Sequence, residues 1–425
     1  MIMAHTTEEQ TIPKGYSGRG SARVMAYCHD GVGLGHLRRT LNICQHVGAG
    51  YPNVSFLVAT GSPYISLFGR LPRVDYLKLP SLRKVDNERY EAKFLQIEQQ
   101  DVLACRRRVL LETARSYDPK ILLVDKAPAG VCGELVETLE WLRKHRPQTR
   151  IVFGMRDIED DPETTIRQWT RLGVPQLLDE WFDEVWVYGM RELYDVARAY
   201  ALSDSIRAKL RFMGYVARPT CAGDCLEATW ETMPQIASYK RRVLVTVGGG
   251  TDGTAVLETY LEEAAGRLAS EGIASLLVGG PDLPEEDAQR LRNRARRLEG
   301  TFWFDFLPCL GCVMRRSEAV VCMGGYNTLC EVINHGKRAL VIPRTTPRVE
   351  QAIRAELWSQ HGLVHVLNPA RLGASVLADQ VLALLSTAGG PSPHRVLDLG
   401  GLERIRHRFG TLLNGSARHA GAVSM

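Results

Sequence analysis

The sequence has no run approaching the roughly 18 apolar residues of a bilayer-crossing helix, so a transmembrane helix is excluded. Its first twenty residues, Met1 to Gly20, are polar, carry Glu8 and Glu9, and lack the apolar segment of a secretory signal; residues 1–20 read as a disordered tail on a cytoplasmic protein. Lysine is scarce. Only ten of the 53 basic residues are Lys, and the net charge of +5 is too mild for a dedicated nucleic-acid binder, so no nucleic-acid partner is expected. The arginines that remain present a planar fork suited to carboxylate and phosphate, although a GC-rich genome would give the same bias. The cysteines form no disulfide framework: they are scattered, and Cys28, Cys44, Cys322 and Cys330 sit inside apolar patterns, as buried thiols do. The close pairs Cys221/Cys225 and Cys309/Cys312 lie far apart with no histidine beside either, so no metal site is expected.

What is present is a globular composition, 45% hydrophobic and 24% charged over 425 residues, enough for two or three domains at roughly 150 residues each. Short β-rich apolar runs alternate with amphipathic stretches throughout, the pattern of parallel sheets covered by helices. Strands are predicted at Arg23–His29, Val54–Thr60, Val74–Leu79, Ile121–Asp125, Arg150–Met155, Glu184–Tyr188 and Arg211–Gly214. After the Pro-bearing, polar stretch from Tyr215 to Lys240, a second series follows at Arg242–Val247, Ile273–Gly279, Thr301–Phe306, Ala319–Cys322, Arg338–Ile342 and Val364–Leu367. The expected fold is α/β, with two Rossmann-like, doubly wound parallel-sheet domains facing a cleft. The domains are expected at residues 21–218 and 241–390, joined by a linker at 219–240 and followed at 391–425 by a C-terminal helix, Leu402 to Leu413, and a tail. Ligands in such sheets bind beyond the carboxyl ends of the strands.

Three glycine-bearing loops lie there. The first, Asp30-Gly31-Val32-Gly33-Leu34-Gly35-His36, follows the first strand and precedes a helical pattern. Its spacing is not that of a dinucleotide fingerprint, and the next strand ends in Thr60 without a ribose-binding acid. The second, Gly248-Gly249-Gly250-Thr251-Asp252-Gly253-Thr254, is a candidate diphosphate cradle or a plain glycine turn; it lacks the lysine of a P-loop. In the third, Gly324-Gly325 ends a strand and Tyr326-Asn327-Thr328-Leu329-Cys330-Glu331 starts a helix. Glu331 lies within two turns of that start, where a carboxylate can accept both hydroxyl protons of a ribose, or can act merely as a capping acid.

The string Gly324-Gly325-x-x-Thr328-x-x-Glu331, followed by His335-Gly336, the strand to Pro343 and Gln351, resembles the nucleotide-sugar half of GT-B glycosyltransferases. It is most similar to the family 28 type, which includes the enzyme that adds N-acetylglucosamine to lipid-linked muramyl peptide. The first loop, ending in Gly35-His36, the linker and the Gly248–Gly250 loop extend the likeness over most of the chain. The resemblance implies that Glu331 holds the donor's ribose hydroxyls. It implies that Gly33, Gly35, Gly249, Gly250, Thr251, Gly324, Gly325, Asn327 and Thr328 line the nucleotide-sugar site, that Gln351 contacts sugar or ribose, and that the base is received at Phe306 and Leu307. One departure stands out: the family's Gln-x-x-Asn-Ala is here Gln351-Ala352-Ile353-Arg354-Ala355, so that Arg354 could add charge near the diphosphate.

Sugar transfer needs a stabilised leaving diphosphate and a deprotonated acceptor. His36, with an unperturbed pKa of about 6.5, is the favoured base, oriented by Asp125; Asp157, beyond the strand Arg150–Met155, is the rival. No Asp-x-Asp stands at a strand end, so a metal-independent, inverting single displacement is expected, with a nucleoside-diphosphate sugar, UDP-linked by resemblance, as co-substrate and no other cofactor. A non-hydrolysing nucleotide-sugar epimerase and a non-catalytic nucleotide-sugar-binding subunit are the alternatives. The acceptor walls, Leu82–Gln100 and Arg156–Trp169, suit a small molecule, a saccharide or a lipid-linked sugar. The basic runs Arg106–Arg108 and Arg241–Arg242 are compatible with peripheral contact at the inner face of a membrane, and equally with solvated faces.

Overall fold

The computed structural model describes residues 22–29, 34–85, 89–219, 233–372, 376–386 and 396–414. The expected N-terminal tail, Gly31 and Gly33 of the first loop, the Cys221/Cys225 pair and most of the expected linker lie outside the described residues.

Each strand expected from the apolar runs forms, displaced by no more than a residue or two at its ends. The first sheet contains β1 (Ala22–Cys28), β2 (Val54–Thr60), β3 (Val74–Lys78), β6 (Ile121–Asp125), β7 (Arg150–Arg156), β8 (Glu184–Tyr188) and β9 (Leu210–Phe212). All are parallel, in the order β3-β2-β1-β6-β7-β8-β9. Between β3 and β6 lies a hairpin that the periodicity did not reveal, β4 (Leu82–Lys84) with β5 (Tyr90–Ala92). Three-residue strands are too short to display an alternating pattern.

The second sheet contains β10 (Arg241–Thr246), β11 (Ile273–Val278), β12 (Thr301–Phe304), β13 (Ala319–Cys322), β14 (Arg338–Val341) and β15 (His365–Val366). It too is parallel, in the order β12-β11-β10-β13-β14-β15. Helices cover both faces, so central strands are apolar throughout: all five residues of β6 and all six of β11 are buried. Strand order reverses between β1 and β6 in one sheet and between β10 and β13 in the other. Connections there diverge to opposite faces and leave a crevice. Thr246 pairs with Cys322, so the second and third glycine loops emerge side by side.

One face of each sheet builds a core of its own, around Met25, Phe153 and Val187 in the first and Val245, Leu277 and Val321 in the second. The opposite faces share a single continuous core that runs from Val24 and Val58 through Tyr215 and Tyr326 to Leu244 and Val320. The last helix, Gly401–Asn414, returns to the first domain. Its Phe409 packs edge-on against Trp186 and Phe56, at centroid distances of 5.4 and 6.3 Å, and Arg408 pairs with Glu184. Among the described residues no helix is long and apolar enough to cross a membrane.

At the seam between the domains, Arg354 of the helix Glu350–Gln360 is fully buried and grips Asp157, just beyond β7. Its Nη2 donates to Asp157 Oδ1 at 2.7 Å and its Nε donates to Oδ2 at 3.0 Å; Nη1 donates to Gly324 O at 3.3 Å and Tyr215 OH to Asp157 Oδ2 at 3.3 Å. A carboxylate this deeply buried is tolerated only while its partner stays. Arg354→Ala should therefore lower the unfolding free energy by about 3–5 kcal/mol. Urea titration should also find that adding Asp157→Ala to it costs much less than the two single losses summed, the mark of a coupled pair.

Candidate functional site

The helix Gly35–Gly50 starts where β1 ends, and its first turn carries His36 and Arg39. Across the switch point, Asp125 closes β6 and is 1% exposed. His36 Nδ1 lies 2.5 Å from Asp125 Oδ2, while Arg39 Nη2 donates to Asp125 Oδ1 at 2.5 Å. The Arg39 Nη2 donor also stands 3.0 Å from Nδ1, but the carboxylate, which can only accept, is nearer and holds the ring proton on Nδ1, leaving the lone pair on Nε2. Burial brings the His36 pKa down to about 4, against the opposing pull of Asp125, so the ring is neutral at pH 7. Burial also opposes ionisation of Asp125, but Arg39 and His36 outweigh it and hold the carboxyl well below the usual range. Arg39 stacks over Tyr188 and Tyr326, 5.0 and 5.5 Å from their centroids. Sequence reasoning passed over it, although His36 and Arg39 stand three apart and so share one helix face.

The third loop faces this dyad. Gly324 has φ +80, and a Cβ there would lie 2.9 Å from Val341 Cγ1; at Gly325 a Cβ would meet nothing within 4 Å. The helix Tyr326–Asn334 begins without a side-chain cap, leaving its first backbone N–H groups free for an anion. Asn327 Nδ2 donates to Gly35 O at 2.8 Å, joining the first and third loops across the cleft. Thr328 is half-buried on the next position.

Glu331 is 4% exposed, and its Oε2 has no hydrogen-bond partner. Burial raises its pKa, with Arg38 and Arg218 pulling the other way. A buried carboxylate oxygen without a donor is costly in the free protein, and sugar hydroxyls would supply the missing donors. Arg38 also lies 5.7 Å from the Phe306 ring centroid and donates to Leu307 O at 3.5 Å, so Glu331 and the 306–307 loop share one cation. Sequence reasoning did not single out Arg38; nothing local distinguishes it from its neighbour Arg39.

The second loop is shaped by close backbone approach. Gly250 has φ +105, and a Cβ on it would lie 2.5 Å from Gly279 O and 2.8 Å from Leu283 N. Asp282 N donates to Gly249 O at 2.8 Å. Gly250 is thus a buried packing glycine, whereas Gly249 and Thr251 remain at the surface of the turn. Tyr64 reaches over from the first domain, donating from its hydroxyl to Asp282 Oδ1 at 2.7 Å. Gln351 Oε1 accepts from Arg344 N at 3.2 Å.

Other candidates are engaged elsewhere. Asp157 is held by Arg354 on both oxygens, and the Arg354 guanidinium is turned to that carboxylate and to main-chain carbonyls rather than left open for a diphosphate. In the loop that follows β7, Asp161 accepts from Thr164 N and caps the helix Pro162–Arg171, while Asp160 Oδ1 accepts from Val349 N at 2.9 Å. Arg106 is completely buried against Glu134 and Pro80 O, away from any surface. The segment 82–100, expected to wall the acceptor site, exposes Phe94, Leu95 and Ile97. Cys309 and Cys312 bring their Sγ atoms to 3.0 Å, and no cluster of three or more His, Cys, Asp or Glu among the described residues is arranged to hold a metal ion.

Residues 243–391 match the glycosyltransferase family 28 C-terminal domain, a region that contains the second and third loops. No curated protein matches the chain by sequence. Among solved structures, the chain is similar to a putative UDP-N-acetylglucosamine 2-epimerase from Listeria monocytogenes, with a TM-score of 0.58 at 13% identity, covering 95% of this chain and 100% of that one. It is also similar to a ugt transferase from Siraitia grosvenorii in complex with UDP, with a TM-score of 0.55 at 13% identity over 92% and 100% of the two chains. The glycosyltransferase SnogD from Streptomyces nogalater gives a TM-score of 0.53 at 18% identity over 92% and 96%. At such identities the likeness speaks for the fold: two Rossmann-like domains facing a cleft, in the GT-B arrangement.

Proposed function

We propose that this protein is a glycosyltransferase that moves a sugar from a nucleoside-diphosphate donor, UDP-linked by resemblance, to a hydroxyl or amine acceptor with inversion. The observation that carries the donor reading is Glu331. Its unpartnered oxygen belongs to the sixth residue of the helix that starts uncapped after Gly325, within the segment that matches the family 28 C-terminal domain. Hydroxyls of a ribose would satisfy that carboxylate while the backbone N–H groups after Gly325, and those of Gly249 and Thr251 in the neighbouring turn, face the diphosphate.

The acceptor oxygen attacks the anomeric carbon, its proton passes to His36 Nε2, and the bond from that carbon to the diphosphate oxygen breaks. Asp125 holds the Nδ1 proton and stabilises the imidazolium that results. Arg39 fixes Asp125 from the other side and keeps it ionised. Asp157, locked by Arg354, is cast as a structural residue.

The similarity to a putative 2-epimerase supports a second reading, acceptor-free epimerisation of the nucleotide sugar. Following a UDP-sugar by NMR separates the two: UDP release that needs acceptor supports transfer, and formation of an epimer without acceptor supports the alternative.

Glu331→Ala should weaken UDP binding by about tenfold or more in calorimetry while leaving the melting temperature unchanged or raised, because it removes an unsatisfied buried charge. Unchanged UDP affinity would refute the donor site. His36→Ala should leave UDP affinity alone and lower turnover by about 10²–10⁴-fold. In the unmutated protein, kcat/KM should climb as His36 loses its proton near pH 4 and be level from about pH 5 to 7. A rising limb near pH 6.5 instead would point to a different base.

A further inference from the structure

Between the His36 dyad and the donor loops lies a group of cations that the reaction above does not use. Arg156 ends β7, next to the strand that ends at Asp125 and leads into Lys126. Its side chain is only 14% exposed, yet its guanidinium makes no hydrogen bond with a described residue: the carboxylates of Glu159 and Glu350 each stand 3.7 Å away, and its Nε is buried without a partner. The completely buried Arg106 and Arg354 are not left so. Arg106 closes on both oxygens of Glu134 and Arg354 on both oxygens of Asp157. A largely buried fork held only by two ion pairs at 3.7 Å, with no hydrogen bond, leaves its donors open to a planar acceptor.

Arg348 supplies a second fork from the other domain. It is half-buried on the loop between β14 and the helix Glu350–Gln360, and makes no hydrogen bond or ion pair with a described residue. It lies close enough to Lys126 and Glu159 to perturb the titration of both. Lys126 itself pairs with Glu159 and adopts φ +74, a left-handed conformation rarely held by a lysine. Four cations, Lys126, Arg156, Arg344 and Arg348, therefore surround two carboxylates, Glu159 and Glu350. Asp252 and Asp160 at the edges are bonded to Arg344 and to the Val349 backbone. Glu350 also has a buried oxygen, Oε2, with no partner. Unused guanidinium donors beside an unused carboxylate acceptor match a ring that bears both an anionic group and hydroxyls.

The location ties this group to both substrates. Arg156 is near enough to His36 to depress its basicity, and Arg344, on the same loop as Arg348, reaches Asp252 of the second glycine loop.

Resting on the glycosyltransferase reading, we propose that the cleft contains a subsite for an acidic sugar, with Arg156 and Arg348 holding its carboxylate or phosphate and Glu350 accepting one of its hydroxyls. The acidic sugar is either the one transferred or the acceptor.

Calorimetry on the full-length protein distinguishes these sources. In the donor arm, UDP-glucuronate is compared with UDP-glucose; in the acceptor arm, glucuronate and glucose 6-phosphate are compared with glucose, with and without saturating UDP. In one arm the anionic probe should bind about tenfold tighter than its neutral counterpart, the discrimination expected of charge-assisted hydrogen bonds. Arg156→Gln/Arg348→Gln should bring that ratio to about one while UDP affinity stays within about twofold. Arg348→Gln alone, on its half-buried loop, should give part of the same loss should the double variant fail to fold. Equal binding of anionic and neutral probes in both arms overturns the subsite. Loss of UDP affinity itself in the double variant also overturns it, because the two arginines would then belong to the diphosphate. Failure of the unmutated protein to bind UDP refutes the donor reading instead, and the UDP-free acceptor arm still decides the subsite.

Discussion

The arrangement of this molecule depends on one buried ion pair. Arg354 and Asp157 come from different sheets, each is withdrawn from water, and each would be untenable there alone. Their bond fixes the helix Glu350–Gln360 against the carboxyl end of β7. Around it gather Tyr215, which donates to Asp157, and Tyr326, whose ring lies under the Arg354 guanidinium and whose hydroxyl accepts from Val216 N. Because Tyr326 opens the helix that carries Asn327, Thr328 and Glu331, the same pair sets the distance between that helix and His36. Arg354 thus forms part of the joint between the domains.

Other buried polar groups are not closed in this way. Glu331 Oε2, Glu350 Oε2 and Arg156 Nε are all enclosed without partners, and all three belong to residues at the carboxyl ends of strands or in the helices that follow. Sheet interiors here are apolar, so polar groups can gather only where strands end and helices begin. The paired cases, Arg106 with Glu134 and Arg354 with Asp157, show that the fold closes such groups where they hold the structure together.

Much of the fold was legible because β6, β8 and β13 are continuous apolar runs of the length a buried parallel strand needs, and the intervening stretches carry helical spacing. The hairpin at Leu82–Ala92 was not, since three-residue strands have no period to read. The glycines of the second loop could be located but not interpreted: Gly250 is required by the nearness of Gly279 and Leu283, which are distant in sequence. His36 and Asp125 were each suggested by position at a strand end, whereas the tautomer that makes Nε2 available follows only from the distance between them.

The sequence by itself determined the class of architecture, two parallel-sheet domains, and the chemical character of the loops at their mouths. Those properties are local: hydrophobic period, glycine at turns, a carboxylate two turns into a helix. Only the tertiary structure decided which charges are neutralised and which are left open. Asp157 and Arg354 looked available, as a base and as a phosphate ligand, until the meeting of the domains bound each to the other. Arg38, Arg39, Arg156 and Arg348 looked like ordinary surface arginines until folding placed them around the cleft. Pairing of charge depends on neighbours brought together from far along the chain, and the dielectric that sets its strength depends on burial, which no residue determines alone.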